Sequence, residues 1–472
     1  MRTTKKTKPR YLVLKTLEYS QKEAVASSTM TAACDNFLNA FAIHLNATNV
    51  QMGWLTAFPQ FIGASMQLVS IWIGGYLSRR LLITVSAIVQ AGIMVLMAAL
   101  AAMHVDSPIA VLIALAIGYH AALNLIQPQW RAWMGSMVPV KKRGVFFAAR
   151  TRLTMATSLV IFIGGGLFLT LSENFNLAWL GFTLLFSVAA SGRFVSSYYL
   201  WKMHDPDPHP TIAEPNYFFS TIRQVIHSLH DKTFRHYSFF VAGMQGMVAI
   251  SAPFFAVYML EELHFTYFQF SLNAVASIAT QFVTLRFWGK ISDQYGNRRV
   301  MLICSAIIPT LPALWLVSPN FFYLLAVQAL SGFSWSGFTL STANYLYDIR
   351  PHRTNFATYA AVQSSISAVL VFTGALAGGY LASYAPDIAA ALPFTLGSSL
   401  FVVFIASSLL RSMVFLWFVP SAVEPHLRTR PHLLQIVFRI ARFNAISGVV
   451  LDWLTVTERK PPEDNPKNNG NP

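Results

Sequence analysis

Charge is what this 472-residue sequence has least of: 11% of its residues are Asp, Glu, Lys or Arg, against about a quarter in soluble domains. With 54% hydrophobic residues and a mean hydropathy of +0.48, that scarcity excludes a soluble globular chain and points to a polytopic membrane protein. Acid is scarcer than base, 19 residues against 34, for a net charge of +15. The surplus does not gather in one patch, as a nucleic-acid surface requires. It recurs in short clusters between apolar runs, so no nucleic-acid partner is expected. Cysteine is nearly absent, and Cys34 and Cys304 both fall inside apolar runs, which leaves neither a disulfide framework nor metal-ligand spacing. No Gly-x4-Gly-Lys-Ser/Thr phosphate loop and no nucleophile-base-orienter set is present, so neither an ATP-driven machine nor an enzyme is expected, and no cofactor. No cleavable leader is expected either. Met1 to Lys22 carries seven Lys/Arg with no small-residue cleavage site after a short apolar core, and reads as a retained cytosolic tail.

What is there is a series of apolar segments. A helical crossing needs about 17 to 25 mainly apolar residues, and twelve stretches meet that need: 24–46, 51–76, 81–103, 107–128, 149–171, 177–200, 237–260, 266–288, 300–318, 321–346, 358–382 and 393–418, called spans 1 to 12. Every loop on the side of the N-terminus carries Lys or Arg, whereas the loops around Asn46, Asp106, Glu173, Glu261, Pro319 and Asp387 carry none. By the positive-inside rule both termini lie in the cytosol.

The two halves repeat with a period near 210 to 219 residues. Gly75 before Arg79-Arg80 matches Gly289 before Arg298-Arg299. Pro139, Arg143 and Phe146 match Pro351, Arg353 and Phe356; Gly164 matches Gly374, and Arg193 matches Arg411. The organisation that follows is a basic tail over 1–23, six helices over 24–200, a linker over 201–236, six more over 237–418 and a tail over 419–472. In the linker, Phe218, Phe219, Ile222, Val225, Ile226 and Leu229 follow helical spacing, as in an interfacial helix. Leu433, Val437, Ile440, Ile446, Val450 and Trp453 do the same after span 12, ahead of a polar, Pro- and Asn-rich end. The His204/His209 pair reads as a solvated Pro-rich turn rather than a metal site.

Polar side chains inside apolar spans must find a partner or a water-filled cavity. Spans 1, 2, 4, 7, 8, 10 and 11 hold Asp35, Asn36, Asn39, Gln60, Gln67, His120, Asn124, Gln127, Gln245, Asn273, Gln281, Gln328 and Gln363; span 3 has Gln90, and spans 6, 9 and 12 have no central amide. Asp35 is the sharpest, near the middle of span 1, where a lone charge costs roughly 2.5 to 3.5 kcal/mol on insertion scales. Asn39 and Asn46 share its face. It is either a protonatable group that couples proton movement to cargo, or contacts a cationic cargo group, or a carboxylate satisfied by neighbouring helices. His120, Asn124 and Gln127 share a face of span 4, and His120 is either a proton carrier or a satisfied structural group. Gln328, Trp335 and Thr339 share a face of span 10, and Asn273, Ser277 and Gln281 a face of span 8. Such a set suits a ligand with flat or apolar parts, though core packing accounts for Trp335 equally well.

The turn between spans 8 and 9 reads Gly289-Lys290-Ile291-Ser292-Asp293-Gln294-Tyr295-Gly296-Asn297-Arg298-Arg299. Its pattern, Gly-x3-Asp-x2-Gly-x-Arg-Arg, resembles the signature of the major facilitator superfamily, and the copy between spans 2 and 3 is eroded, without the Asp and the second Gly. The segments Gln127-Pro128-Gln129-Trp130-Arg131-Ala132-Trp133 and Arg143-Gly144-Val145-Phe146-Phe147-Ala148-Ala149-Arg150 resemble poorly characterised bacterial members. The antiporter-type Gly-Pro motif is lacking, because Gly164-Gly165-Gly166 is followed by Leu167. The resemblance implies an all-α fold of two pseudo-symmetric six-helix bundles, with spans 3, 6, 9 and 12 as lipid-facing supports and the other eight around the path.

It also implies a multi-pass secondary transporter of the bacterial inner membrane, moving a small organic solute by alternating access, driven by protons and monomeric in the bilayer. A latch would join Asp293 to Arg143, Arg150 or Arg152 at the start of span 5, with Gly289 and Gly296 shaping the turn and Arg298 and Arg299 flanking it. A solvated turn is the alternative for that loop. A lipid or lysolipid flippase of the same fold and a non-transporting membrane sensor are the alternative functions.

Overall fold

A computed structural model gives the fold and describes residues 8–74, 76–138, 143–205, 229–349, 356–393 and 395–418. Among the described residues there is helix and no strand. This is the form that apolar segments take where lipid offers no partner to a backbone N–H or C=O. The helices are α1 (Lys8–Cys34), α2 (Leu38–His44), α3 (Asn49–Ile73), α4 (Arg79–Ala102), α5 (Pro108–Met137), α6 (Arg143–Asn174) and α7 (Ala178–Lys202) in the first half. The second half has α8 (Lys232–Ser251), α9 (Phe254–Val257) with a π-helical turn over Tyr258–Glu262, α10 (Tyr267–Tyr295), α11 (Asn297–Ile307), α12 (Thr310–Leu314), α13 (Phe321–Ile349), α14 (Phe356–Ala391) and α15 (Phe401–Phe418). Among the described residues, seven helical stretches are long and apolar enough to cross a membrane: 79–102, 108–134, 149–174, 178–202, 232–262, 362–391 and 401–418.

Several boundaries differ from expectation: α5 and α14 run on to Met137 and Ala391, past 128 and 382, and two starts move. Helix α1 starts at Lys8, well ahead of residue 24, because Thr16, Ser20 and Glu23 are buried against the first half and carry the helix past the apolar run. Helix α15 starts at Phe401, since Pro393 and Gly397 precede it in a non-helical stretch. Gly75, Pro139, His209, Pro351, Arg353, the linker segment 206–228 and everything after 418 lie outside the described residues, as does the Arg143 side chain.

The duplication is visible in local chemistry. Helices α3 and α10 both begin with a Thr-x-x-Gln capping box, Thr48 with Gln51 and Thr266 with Gln269. In each, hydroxyl and amide satisfy end N–H groups reciprocally. The interval between the two caps is the same as between Arg193 and Arg411.

The first helical stretch of each half is interrupted at matching depth, α1 to α2 at Asp35-Asn36-Phe37 and α8 to α9 at Ala252-Pro253. Pro253 has no N–H to continue the ladder. No proline explains the break at Asp35.

The described contacts between the halves gather at the lysine-poor end. Asn49 Nδ2 donates to the Ala382 carbonyl at 3.2 Å, and the Phe268 N–H to Thr170 Oγ1 at 2.9 Å. Phe162 meets Phe270, and Phe182 meets Tyr267. One apolar core there draws on both halves, including Phe37, Met52, Phe182, Tyr258, Phe270 and Phe404. Small residues bring the backbones together: a Cβ on Gly53 would lie 2.8 Å from the Ala375 oxygen, and one on Gly166 would overlap Ser271 Oγ at 2.0 Å. In lipid, where apolar burial gives no drive to associate, such close backbone approach supplies the packing. At the basic end the core of Ile83, Ile126, Trp133, Met134 and Leu200 belongs to the first half alone.

Candidate transport path

Asp35 occupies the break between α1 and α2. Its side chain is open to a water-sized probe although it lies deep within the first half. The polar group nearby is the Tyr119 hydroxyl on α5, which is fully buried and has no hydrogen-bond partner among the described residues. Asn36 is spent on its own helix, with Nδ2 donating to the Ala32 carbonyl at 3.2 Å. Asn39 is half-buried with an unspent amide.

The polar face of α5 is knitted to α3. Gln67 Nε2 donates to Asn124 Oδ1 at 2.7 Å, and Asn124 Nδ2 donates to the His120 carbonyl at 2.8 Å. Ser70 Oγ donates to the Leu125 carbonyl at 2.6 Å, and Gln129 Nε2 to the Ser70 carbonyl at 2.8 Å. Gly63 makes the approach possible, since a Cβ there would meet Asn124 Nδ2 at 2.6 Å. Asn124 is thus engaged in helix pairing, while the half-buried His120 ring stacks edge-on against Tyr119. Gln127 accepts from Arg131 at 3.1 Å.

In the second half the polar positions divide by how their amides are used. Gln281 donates to Ser277 Oγ at 3.4 Å and Gln363 to Ser367 Oγ at 2.9 Å. Gln245 and Gln328 are half-buried, with no protein hydrogen bond among the described residues. Trp335 is half-buried against Phe338. Asn273 departs from the expected cavity lining in this conformation: it is fully buried, and neither amide atom has a partner. Among the expected path residues, Asp35, Asn39, Gln245, Gln328, Gln60 and the His120 ring have hydrogen-bonding capacity left for a solute.

The basic turn between α10 and α11 has Gly296 at φ 90°, a backbone that an L side chain rarely adopts. Ser292 Oγ bonds Asn297 Oδ1 across it. Asp293 projects, exposed, from the last turn of α10 and makes no ion pair among the described residues; Gly289 has open space where a Cβ would stand. Arg298 Nε and Arg299 Nη1 are buried without partners. Arg150 is engaged within its own half. Its Nη2 donates to Glu23 at 2.7 Å, its Nη1 to Ser20, and its guanidinium stacks 4.4 Å from the Trp130 ring centroid. At the eroded first turn, Arg79 pairs with Asp205 at 2.9 Å and Arg80 lies over Trp201.

Glu23, Tyr119 and Asp205 did not stand out in the sequence. Glu23 sits at the edge of span 1, where a carboxylate reads as tail, and Tyr119 has no pattern of its own. Asp205 lies in a Pro-rich polar run, far from Arg79 in sequence. The close-approach glycines had a signal: Gly374-x3-Gly378 is a small-x3-small pattern, and a Cβ at either would strike backbone oxygen at 2.0 Å or 2.2 Å.

Among known proteins, a family model described as Major Facilitator Superfamily matches residues 236–457. By structure the chain is similar to the nucleoside transporter NupG, at 14% identity over 87% of this chain and 98% of that one, with a TM-score of 0.61. It is also similar to a bacterial homologue of the human lysosomal transporter Spinster in an inward-facing, occupied conformation, at 12% identity over 89% and 97%, with a TM-score of 0.60. No curated protein sequence matches it.

Proposed function

We propose that the chain, whose residues 236–457 match the major facilitator superfamily model, is a proton-coupled secondary transporter of that superfamily for a small polar solute that carries no negative charge. Twelve crossings as six plus six, with both termini and the basic loops in the cytosol of a bacterium, form the frame. The carrying observation is Asp35: a solvent-reachable carboxylate at a non-proline helix break, faced by a phenol and by no basic side chain. Discontinuous helices are where transporters of this type hold cargo and coupling ions. A carboxylate beside Asn39, Gln245 and Gln328 repels an anion and accommodates a neutral or cationic solute, and amides match the edges of a flat, hydrogen-bonding ring. A nucleoside is the first cargo to try, since one structural neighbour is a nucleoside transporter.

Alternating access needs one end closed while the other opens. The halves meet at the lysine-poor end, which supports a state open to the cytosol. Asp293 then stands released, and closure would bring it to the start of α6, where Arg143, Arg150 and Arg152 are its candidate partners. Arg150 would have to leave Glu23.

The test is flux into proteoliposomes under an imposed pH gradient. The parent should concentrate a nucleoside when the gradient is present, and Asp35→Asn should lose the dependence on the gradient while still exchanging cargo. Equal gradient-driven flux in both proteins removes Asp35 from coupling.

A further inference from the structure

We propose that the groove between α1 and α7, under a rim of lysines and tyrosines, binds an anionic phospholipid of the leaflet that faces the basic loops; the leaflet assignment rests on the orientation argued above. The groove is an open recess of about 570 Å³ on the outer face of the first half, lined by apolar side chains of α1 and α7 and by Thr29 and Ser191, whose hydroxyls bond their own helix backbones, with Lys22 and Tyr199 at its mouth. It is recessed because α1 and α7 approach closely: a Cβ on Gly192 would lie 2.9 Å from the Ala26 carbonyl oxygen. Its floor is apolar, fit for an acyl chain.

The rim is built from two helix faces. Tyr11, Lys15, Glu18, Tyr19 and Lys22 recur at intervals of three and four along α1 and so share one stripe. Tyr198, Tyr199 and Lys202 end α7 beside it. Lys15 Nζ stands 5.6 Å from the Tyr11 ring centroid and 5.8 Å from that of Tyr19, Tyr19 and Tyr199 rings are 5.9 Å apart, and Lys202 Nζ lies 4.3 Å over Tyr198. The Tyr19–Tyr199 contact brings the two lysine-bearing faces together.

Lys22 is held by Glu18 at 2.7 Å, so three lysines face one carboxylate and the rim is left with excess positive charge. Tyrosines at a membrane surface sit at headgroup level, and lysines snorkel there. A phosphodiester at the rim would lie between Lys15 and Lys202 within reach of the tyrosine hydroxyls, its chains descending into the groove.

The second groove on the surface sharpens the assignment. It lies along the lysine-poor end of α14, is of similar size at about 670 Å³, and is just as apolar, with Tyr380 and Tyr384. Its charged residue is Asp387 and it has no lysine or arginine. Two recesses of like size and opposite rim charge should hold different lipids.

Native mass spectrometry of the detergent-purified full chain, offered phosphatidylglycerol and phosphatidylcholine with identical acyl chains, reads the site without any flux measurement. A failed transport assay therefore leaves this test intact. The parent should retain phosphatidylglycerol in preference by tenfold or more, a lysine near an anionic headgroup contributing a factor of about five. Lys15→Gln with Lys202→Gln should cut that preference about ten- to thirty-fold, Lys15→Arg should preserve it, and Ser191→Phe, which fills the groove, should reduce retention of both lipids. Lys15 and Lys202 sit on the rim and not in the helix-packed core, so monodisperse elution of the variants is expected. Equal retention of the two lipids by the parent, or an undiminished preference in the double-lysine variant, overturns the proposal.

Discussion

Each half of this molecule buries an arginine at the same place in its sixth helical stretch, and the two are treated differently. Arg193 on α7 has a carboxylate within electrostatic reach: its Nη1 donates to Ser196 Oγ at 3.0 Å, and Ser196 Oγ to Glu23 at 3.2 Å. Arg411 on α15 has none among the described residues. Its Nη2 donates to Ser251 Oγ at 2.7 Å and its Nη1 to the Ile308 carbonyl at 3.4 Å. Residue 312 is proline, so the Ile308 carbonyl lacks the usual N–H four residues on; it accepts the Leu311 N–H at 3.4 Å and the arginine as well. Ser251 ends α8 just before the break at Pro253. Arg411 therefore ties together two interrupted helices, whereas Arg193 belongs to a charge cluster.

The difference extends to the basic turns. In the first half Arg79 is held by Asp205, buried and drawn from the start of the linker. In the second half Asp293 is exposed and unpaired among the described residues. The first half has filled its acid sites from its own chain, and the second holds its acid out toward solvent. That asymmetry is what the proposed latch at Asp293 would use.

The largest effect should come from Glu23. Glu23→Gln keeps the shape but removes the counter-charge that serves Arg150 and Arg193, leaving two buried guanidinium groups uncompensated. Breaking a buried pair in this way costs about 3 to 5 kcal/mol. Chemical unfolding in detergent should show a loss of that order, and an unchanged midpoint would mean that the cluster carries no stability.

A smaller loss is expected at Asp205. Asp205→Asn weakens a charge-assisted bond to Arg79 at the membrane surface, and such bonds are worth about 1.5 to 3 kcal/mol. Limited proteolysis should cut the linker faster in the variant than in the parent, because the tie between His204-Asp205 and the first half is loosened. The His204 N–H also bonds Thr16 Oγ1 at 3.0 Å, and the Trp133 indole bonds the His204 carbonyl at 3.2 Å, so the tie should loosen without being lost.

The helical fold was legible because lipid leaves the backbone one simple solution, and length and apolarity then mark each segment. The duplication was legible in landmarks such as Arg193 with Arg411, and the turn at Gly296 in the glycine its φ of 90° requires. Asp35 was legible because charge inside an apolar run is costly. What could not be read was which polar groups spend their bonds on each other. Asn124 looks free in sequence, yet Gln67, on another helix, takes its oxygen. Glu23 looks like tail, yet two arginines distant in sequence converge on it. Pairings across helices depend on how the helices are rotated against one another, and periodicity within one helix fixes only its own face.

The smallest effect is expected where an intuition about buried charge would place the largest. Arg411 is 3% exposed, and its Nε has no partner. Arg411→Met, of similar length and without charge, removes a lone cation whose burial in a bilayer costs roughly 2.5 to 3.5 kcal/mol. It also abandons Ser251 and one of the two bonds to the Ile308 carbonyl, which keeps the Leu311 N–H, at about 1 to 3 kcal/mol for an abandoned buried group. The two contributions oppose each other and are of like size, so the net change in unfolding free energy should be about 1 kcal/mol or less, in either direction. Arg193→Met has no such balance, because it leaves Glu23 with Arg150 alone in a cluster built for two cations, and it should lower stability measurably. Equal losses in the two variants would mean that Arg411 has a counter-charge after all, and the contrast between the halves would fail with it.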